Sequence, residues 1–351
     1  MEYLHIKTLY IELTHRCNQH CKHCYLDGGM HHNETEMTTE QIIKIIREFK
    51  EQRGKYIIIT GGEPLVRADI FDILDVIESF EIPFQFASNS LAMTQKRLEK
   101  LDSYKCLNLY FTSLLGADAQ KHCNITQKDS YNNILETLSF WEKKEVPTYV
   151  QVTLAKEFID DMDVIAEKLM AYKNSTVKFT PIASIGIKET GIKETGIKET
   201  GIKETGIKET KTDSIIDAFD SQRLLVPKSE FERFHKKVSA LQQKYPKRIE
   251  NSNILNAKQI VDLIADYKDE ELYAMCYGFI AVRPNGDISF SCNMGNPYIF
   301  GKAYDTIKIP LDKHLMDYID LLRKAEQAAL VEAEQSIVEF DVTVDNYIAQ
   351  H

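Results

Sequence analysis

Short apolar runs of strand type alternate with amphipathic helical patterns along the first half of the chain. Residues 56–59 read Tyr-Ile-Ile-Ile, an apolar run that predicts a buried strand. Ile42, Ile45 and Phe49 repeat at the spacing of one helix face. A capping-box pattern that starts at Thr38 marks the beginning of this helix. The alternation of the two patterns predicts strand and helix in turn.

The same patterns extend over six strand–helix units. Strands are predicted at residues 9–13, 56–59, 83–87, 106–112, 148–154 and 176–180. Helices are predicted at residues 70–80, 94–101, 131–143 and 162–172, and a later one carries Phe231, Phe234, Val238 and Leu241. Strands that alternate with helices form parallel sheets, and six strands are too few to close an eight-stranded barrel. The predicted fold class is therefore α/β: a partial (β/α)6 TIM-like barrel with a small α+β C-terminal extension. Its chemistry is expected at the carboxyl ends of the strands.

The sequence Gly-Ile-Lys-Glu-Thr is repeated five times without variation over residues 186–210. Five residues advance about 500° around a helix, so the isoleucines would form no apolar stripe. The repeat is therefore predicted to be a solvated, flexible insertion. The predicted divisions of the chain are the partial barrel at residues 1–185, the insertion at 186–211, the last barrel helix and a linker at 212–255, a hairpin region at 256–305 and a helical tail at 306–351.

Composition and charge narrow the class of protein. The chain has 351 residues, of which 43% are hydrophobic and 27% charged, as in ordinary globular proteins. The formal net charge of −10 argues against a general nucleic-acid or anionic-membrane surface. No apolar run approaches the ~20 residues of a membrane span, and the start lacks the layout of a secretory signal. We therefore expect a cytoplasmic protein with no nucleic-acid or membrane partner, whose seven cysteines are thiols, metal ligands or core residues.

Three of these cysteines lie in the loop that follows the first predicted strand. Cys17, Cys21 and Cys24 have the spacing C-x3-C-x2-C. Thiolates on one short loop can converge on one metal centre, either a zinc ion or an iron–sulfur cluster.

The two metal centres differ in the ligands that they need. A structural zinc site needs a fourth ligand, for which the loop offers three histidines: His15, His20 and His23. An iron–sulfur cube held by three cysteines instead leaves one iron open to a substrate or cofactor. The position of the loop on the catalytic rim of the predicted barrel favours the cluster.

Two consecutive glycines follow the second predicted strand, in the sequence Thr-Gly-Gly-Glu-Pro at residues 60–64. Gly61 and Gly62 leave bare backbone where side chains would otherwise pack. This pattern indicates either a tight turn or the close approach of another group.

The cysteine spacing and the Gly-Gly-Glu-Pro sequence together resemble the radical S-adenosylmethionine (SAM) enzymes. The resemblance covers roughly residues 7–185, with His23 as the aromatic-type residue before the last cysteine. It implies that Cys17, Cys21 and Cys24 hold a [4Fe-4S] cluster whose open iron chelates SAM. One electron from the cluster would then cleave SAM to methionine and a 5′-deoxyadenosyl radical, which abstracts hydrogen from a substrate. A reductant such as a flavodoxin or ferredoxin is the implied electron donor.

The resemblance also implies which residues surround SAM. The glycines would let its charged headgroup lie against a strand edge, with Glu63 orienting the turn, and further contacts would come from the ends of later strands. The expected cofactor-binding residues are His23, Gly61, Gly62, Glu63, Ser88, Asn89, Ser113, Gln151 and Ile182. After the fourth strand the family often has Ser-Leu-Asp-Gly, whereas Leu115 takes the acidic place here. No catalytic residue of the protein is assigned.

Residues 276–292 have a strand–turn–strand pattern around Pro-Asn-Gly-Asp. They resemble the start of the auxiliary-cluster extension called SPASM or, when shortened, twitch, with Cys276 and Cys292 as candidate ligands. Ser291 stands where that pattern commonly has a cysteine, and no cysteine follows Cys292. Because an auxiliary cluster normally takes about four protein ligands, a degenerate extension without a cluster is expected in preference to a loaded one.

Resemblance to SPASM and twitch enzymes implies a ribosomally synthesised peptide as substrate, modified by cross-linking, thioether formation or epimerisation. A separate leader-binding protein is an expected partner, because the first predicted strand begins near the start of this sequence. Two alternatives stay open. One is a small-molecule dehydrogenase or cofactor-biosynthesis enzyme of the same superfamily, and the other is a non-catalytic iron–sulfur or zinc protein.

Overall fold

Strands and helices alternate along the first half of the chain, as the sequence predicts. The computed structural model describes residues 3–24, 35–182, 226–250, 254–255, 280–290, 299–335 and 337–339, so the repeat at 186–210 lies outside the described residues. The barrel strands are β1 (Thr8–Glu12), β2 (Tyr56–Thr60), β3 (Phe84–Ala87), β4 (Leu107–Ser113), β5 (Thr148–Leu154) and β6 (Ser175–Pro181). The helices are α1 (Thr39–Glu51), α2 (Ile70–Ser79), α3 (Gln95–Asp102), α4 (Ala119–Thr126), α5 (Tyr131–Lys144), α6 (Met162–Met170), α7 (Phe231–Lys244) and α8 (Lys313–Ala333).

The six strands form one parallel sheet in the order β6-β5-β4-β3-β2-β1. Each strand pairs with the next one in the chain, as in β1 with β2 and in β5 with β6. Parallel neighbours need a crossover connection between them, and helices supply it here. The predicted α/β fold with a partial barrel is confirmed.

Short strands from the second half of the chain add to this architecture. β7 (Ile254–Leu255) and β10 (Val338–Glu339) form a separate antiparallel pair. β8 (Ile280–Val282) pairs parallel with β1, and β9 (Ile288–Ser289) pairs antiparallel with β8. Within the described residues, β6 and β9 end the large sheet and do not pair with each other, so the barrel is open.

The predicted turn at Pro-Asn-Gly-Asp connects β8 to β9. Arg283 N donates to Asp287 O at 2.9 Å, and Gly286 has a φ of +85°, a conformation that glycine adopts without strain. β8 pairs with β1, so this hairpin, which the sequence pattern predicts as a C-terminal extension, continues the barrel sheet. Cys276 and Cys292, the candidate auxiliary ligands, lie outside the described residues.

Alternate strand residues are buried against the helices. Leu9 and Ile11 of β1 belong to one hydrophobic cluster, and Val150 and Val152 of β5 belong to a second. The intervening residues of β5, such as Gln151, are only half-buried. One face of the sheet is therefore packed by helices, while the other keeps partly exposed polar groups.

Helix α8 packs against the first of these clusters. It buries Leu315, Tyr318 and Leu322, which belong to the same cluster as residues of β1 to β4. No helix of the described ranges is both long enough and apolar enough to cross a membrane.

Candidate functional site

The cysteine loop lies directly on the Gly-Gly-Glu-Pro turn. Gly62 N donates to Thr14 O at 2.6 Å, and Glu63 N donates to Arg16 O at 2.9 Å. These bonds continue the pairing of β1 with β2 past the ends of both strands. The two sequence motifs thus form one unit at the carboxyl end of the sheet.

The glycines make room for the backbone of the cysteine loop. A Cβ on Gly61, which has a φ of +141°, would lie 2.4 Å from Thr14 O. A Cβ on Gly62 would lie 2.3 Å from Arg16 O. The sequence analysis explained the glycines by the headgroup of SAM, but the group that approaches them here is the loop itself. Contact of Gly61 and Gly62 with SAM stays a prediction.

Glu63 joins the end of β2 to the end of β3. Its fully buried carboxylate accepts hydrogen bonds from Leu65 N at 3.0 Å, Ser88 Oγ at 3.0 Å and Asn89 N at 2.7 Å. Burial raises the pKa of Glu63 to about 7, although these hydrogen bonds oppose the shift. Glu63 therefore links the turn to the end of β3, and its role in SAM binding stays a prediction.

Asn89 connects this turn to the first cysteine. Its side-chain amide donates to Cys17 Sγ at 3.5 Å and to Asn18 Oδ1 at 2.7 Å. Cys17 Sγ also accepts from Gln19 N at 3.4 Å. The amide of Asn89 is thus directed at a sulfur, and the expected contacts of Ser88 and Asn89 with the adenosyl group stay predictions.

The three thiols influence one another electrostatically. Burial raises the pKa of Cys17 to about 11, with further contributions from Glu63 and Cys24. Burial also raises the pKa of Cys21, with contributions from Cys24 and Cys17. Buried thiols of this kind become thiolates when a metal replaces the proton. Within the described ranges, no three or more His, Cys, Asp or Glu side chains are placed to hold a single metal ion, so both the zinc alternative and the convergence of the three cysteines on one metal centre stay predictions.

The histidines of the loop have different surroundings. His15 Nε2 lies 3.4 Å from Glu12 Oε2 in the interior, whereas His20 is exposed. The ring of His23 is partly exposed, but its Nδ1 is buried and has no hydrogen-bond partner among the described residues. Burial lowers the pKa of His23 to about 4, so the ring is neutral near pH 7. Because buried polar atoms are nearly always hydrogen-bonded, this unpaired nitrogen beside Cys24 fits a site that binds a cofactor.

A charged network fixes the start of the loop, and sequence analysis missed it. Glu36 accepts from Thr14 Oγ1 and from Arg16 Nη2, the latter at 2.9 Å, and lies 3.7 Å from Arg67 Nη1. Arg67 in turn binds Asp69 at 2.6 Å. Burial alone would raise the pKa of Glu36, but the bonds from Arg16 and Thr14 hold it below its usual value. Glu36 lies 20 positions from Arg16 and more from Arg67, so no spacing pattern indicated the network.

Two of the remaining expected site residues are strand neighbours, and the third is buried in the core. Ser113 and Gln151 are paired in register on β4 and β5, and Gln151 Nε2 donates to Thr180 Oγ1 at 3.4 Å. Ile182 is buried in the second hydrophobic cluster. Leu115, which stands at the acidic place of the family pattern, is buried in the same cluster. SAM binding by Ser113, Gln151 and Ile182 stays a prediction.

A buried polar group beside the loop was also missed. It comprises Gln19, His122 and Ser130, all of which are buried and connected by hydrogen bonds. His122 lies on α4, which the sequence analysis did not predict. The local signal for this helix is Asp118, whose side chain accepts from Lys121 N at 2.9 Å and caps it.

Two curated relatives each match half of the chain or less. Mycofactocin maturase MftC from Mycolicibacterium smegmatis is 29% identical over 181 residues, which are 50% of this chain and 44% of that protein. AdoMet-dependent heme synthase from Methanosarcina barkeri is 27% identical over 152 residues, 43% of each chain. The chain therefore spans less than half the length of these relatives.

Solved structures share the fold. The crystal structure of Streptococcus suis SuiB bound to S-adenosylmethionine has a TM-score of 0.62 and 15% identity, and the match covers 90% of this chain and 66% of SuiB. SuiB bound to its precursor peptide SuiA has a TM-score of 0.64 and 13% identity, and the match covers 86% of this chain and 63% of SuiB. At these identities the likeness concerns the fold alone.

A family model described as the radical SAM superfamily matches residues 11–169. The matched region begins in β1 and ends in α6, so it includes the cysteine loop and the Gly-Gly-Glu-Pro turn. This part of the chain is a radical SAM domain.

Proposed function

We propose that this protein is a radical SAM enzyme in which Cys17, Cys21 and Cys24 hold a [4Fe-4S] cluster next to bound SAM. The observation that carries the proposal is the three-cysteine loop hydrogen-bonded to the Gly-Gly-Glu-Pro turn inside a radical SAM domain. When bound, the cluster and SAM supply an electron and a 5′-deoxyadenosyl radical that abstracts hydrogen from a substrate.

The residues of the chain itself supply the framework for this chemistry. The bare backbone at Gly61 and Gly62 lets the cysteine loop settle on the sheet. Glu63 fixes the turn, and Asn89 directs an N–H group at the sulfur of Cys17. Groups that the fold itself holds in place reduce the reorganisation that cofactor binding requires.

The proposed substrate is a ribosomally synthesised peptide that is cross-linked, joined by a thioether or epimerised. MftC is named a maturase, and SuiB was crystallised with a precursor peptide, so related sequences and folds handle peptides. The half-buried polar side chains of Gln151 and Thr153 on the open face of the sheet suit the polar backbone of a peptide. A flavodoxin or ferredoxin as reductant, a separate leader-binding protein and a cytoplasmic location complete the proposal.

A small-molecule substrate is the second candidate function. The chain also matches the heme synthase of Methanosarcina barkeri, at 27% identity against 29% for the maturase. A cofactor-biosynthesis reaction is therefore the alternative to peptide modification within the same radical chemistry.

Removing single cysteines tests the proposal. The protein is reconstituted anaerobically with iron and sulfide, reduced with dithionite in the presence of SAM, and assayed for iron content and 5′-deoxyadenosine. Cys17→Ala, Cys21→Ala and Cys24→Ala are each expected to lose the brown chromophore and SAM cleavage, because each removes a thiolate ligand. Cys123→Ala, on helix α4 and outside the loop, is the matched control and is expected to retain both. Full iron loading and SAM cleavage in all three loop variants would refute the assignment.

A further inference from the structure

Gln19 lies between two of the cysteines, and its side chain is turned into the protein. Only 3% of Gln19 is exposed. Its Nε2 donates to Ser130 Oγ at 2.8 Å, and its Oε1 accepts from Cys21 Sγ at 3.4 Å. The amide therefore connects the second cysteine of the loop to the residue that precedes α5.

Ser130 is itself held by a histidine with a defined tautomer. Ser130 Oγ lies 2.8 Å from His122 Nε2, and His122 Nδ1 accepts from Leu115 N at 3.1 Å. A main-chain N–H can only donate, so the neutral ring carries its proton on Nε2 and donates it to Ser130. The relay thus runs from a fixed backbone group through His122 and Ser130 to Gln19.

The direction of the last bond depends on the state of Cys21. A thiol at Cys21 donates to Gln19 Oε1 across the distance of 3.4 Å, but a cysteine bound to iron is a thiolate and has no proton to donate. Rotating the amide of Gln19 by half a turn exchanges two groups of nearly identical shape. Its N–H then donates to the sulfur of Cys21, and its Oε1 accepts the hydroxyl proton of Ser130. The hydroxyl proton of Ser130 and one N–H of Gln19 then each meet an acceptor.

We propose that His122, Ser130 and Gln19 form a relay of hydrogen bonds that holds an amide N–H against the Cys21 thiolate of the cluster. The inference rests on the proposed function, because it requires the cluster. Cys17 already receives such a bond from the side chain of Asn89 at 3.5 Å. Hydrogen bonds to the sulfurs help to set the potential of a cluster, and donors that stabilise the more negative reduced state make that potential less negative. The three residues act through Cys21 and are positioning residues.

Neutral substitutions test the relay without adding charge. Gln19→Leu removes the amide at similar volume, and Gln120→Leu makes the same change on the exposed face of α4 as the matched control. The midpoint potential of the reconstituted cluster is measured by redox titration followed by electron paramagnetic resonance. We expect a more negative midpoint for Gln19→Leu and an unchanged one for Gln120→Leu. Ser130→Ala, which frees the amide of Gln19 to rotate, is expected to give a smaller shift in the same direction.

The outcomes separate the relay from the proposed function. Equal midpoints for Gln19→Leu and Gln120→Leu at full iron content would overturn the relay while leaving the enzyme assignment intact. Should Gln19→Leu fail to load iron, Ser130→Ala decides, and an unshifted midpoint in that variant would overturn the relay. A wild-type protein that takes up no [4Fe-4S] cluster would instead contradict the proposed function itself.

Discussion

Gly62 is the residue at which the two sequence motifs meet. A Cβ there would lie 2.3 Å from Arg16 O and 2.7 Å from His15 O. Both are backbone atoms, which cannot rotate away as a flexible side chain would. Gly62 thus controls where the cysteine loop sits, so its substitution affects the loop before it affects any cofactor.

For this reason we expect Gly62→Ala to displace the cysteine loop. The predicted cost is about 1–3 kcal/mol of unfolding free energy, the range typical of overpacking, together with a loss of iron loading. Urea unfolding and iron analysis after reconstitution measure the two effects. Gly301→Ala is the control, because a Cβ there meets no atom within 4 Å and only the positive φ opposes it. Normal iron content and stability in Gly62→Ala would contradict the contact between turn and loop.

At the scale of elements, helix α8 carries a carboxyl group in an apolar environment. Glu326 is 3% exposed, and its Oε1 has no hydrogen-bond partner among the residues that the structure describes. Ala325 and Ala329, on the same helix, are fully buried. Burial raises the pKa of Glu326 from 4.5 to about 8, so the folded protein keeps the proton that the unfolded chain releases above pH 4.5.

The raised pKa predicts the sign of a pH effect on stability. The native state binds the proton more tightly, so the contribution of Glu326 to stability is most favourable below pH 4.5 and falls as pH rises towards 8. Glu326→Gln removes this titration and is expected to be more stable than wild type at pH 9 by about 1–3 kcal/mol. Urea unfolding at pH 5 and pH 9 measures the difference. Glu334→Gln, on the exposed end of α8, is the control; parallel pH profiles of wild type and Glu326→Gln would disprove the prediction.

The elements also show what a sequence pattern can and cannot predict. β5 has its predicted bounds. Its seven residues form a clear strand pattern in the sequence, and they are alternately buried and half-buried in the structure. Helix α4 was missed because its buried residues are His122, Ile125 and Thr126, which form no apolar stripe. The pairing of β8 with β1 was missed because it joins residues about 270 positions apart, and hydrophobic periodicity carries no information on such pairing.

Some parts of the candidate site could likewise be predicted from the sequence, and others could not. The cysteine loop and the Gly-Gly-Glu-Pro turn were recognised because each is a short contiguous motif. The bonds of Gln19 to Ser130 and of Asn89 to Cys17 link residues 111 and 72 positions apart, so only the folded chain shows them. Motifs therefore indicate the ligands of a site, while the groups that hold the ligands depend on tertiary contacts.

At the scale of the whole molecule, the five-fold repeat belongs to a segment whose two ends meet. Val226 N donates to Ile182 O at 2.9 Å, so the chain returns after the intervening residues 183–225 to the place where it left the sheet. Ile182 and Val226 are both buried in the second hydrophobic cluster. The core itself therefore holds the ends together, whatever the length between them.

Deleting four of the five Gly-Ile-Lys-Glu-Thr copies is thus expected to leave the barrel intact. It shortens the segment by about half, and each halving lowers the cost of loop closure by only about 0.6 kcal/mol. Unfolding free energy, iron loading and SAM cleavage should therefore stay close to wild type, with a slight gain in stability. The control is a variant in which a glycine–serine segment of the same length replaces the repeat, and it separates the effect of length from that of sequence.

The segment leaves the sheet at the carboxyl end of β6, which is the end of the sheet that carries the cysteine loop. Turnover of the true substrate is therefore measured in parallel. If both variants lose turnover but retain SAM cleavage, the repeat sequence has a role in handling the substrate. If the deletion lowers the unfolding free energy by several kcal/mol, the prediction is wrong and the repeat is part of the folded core.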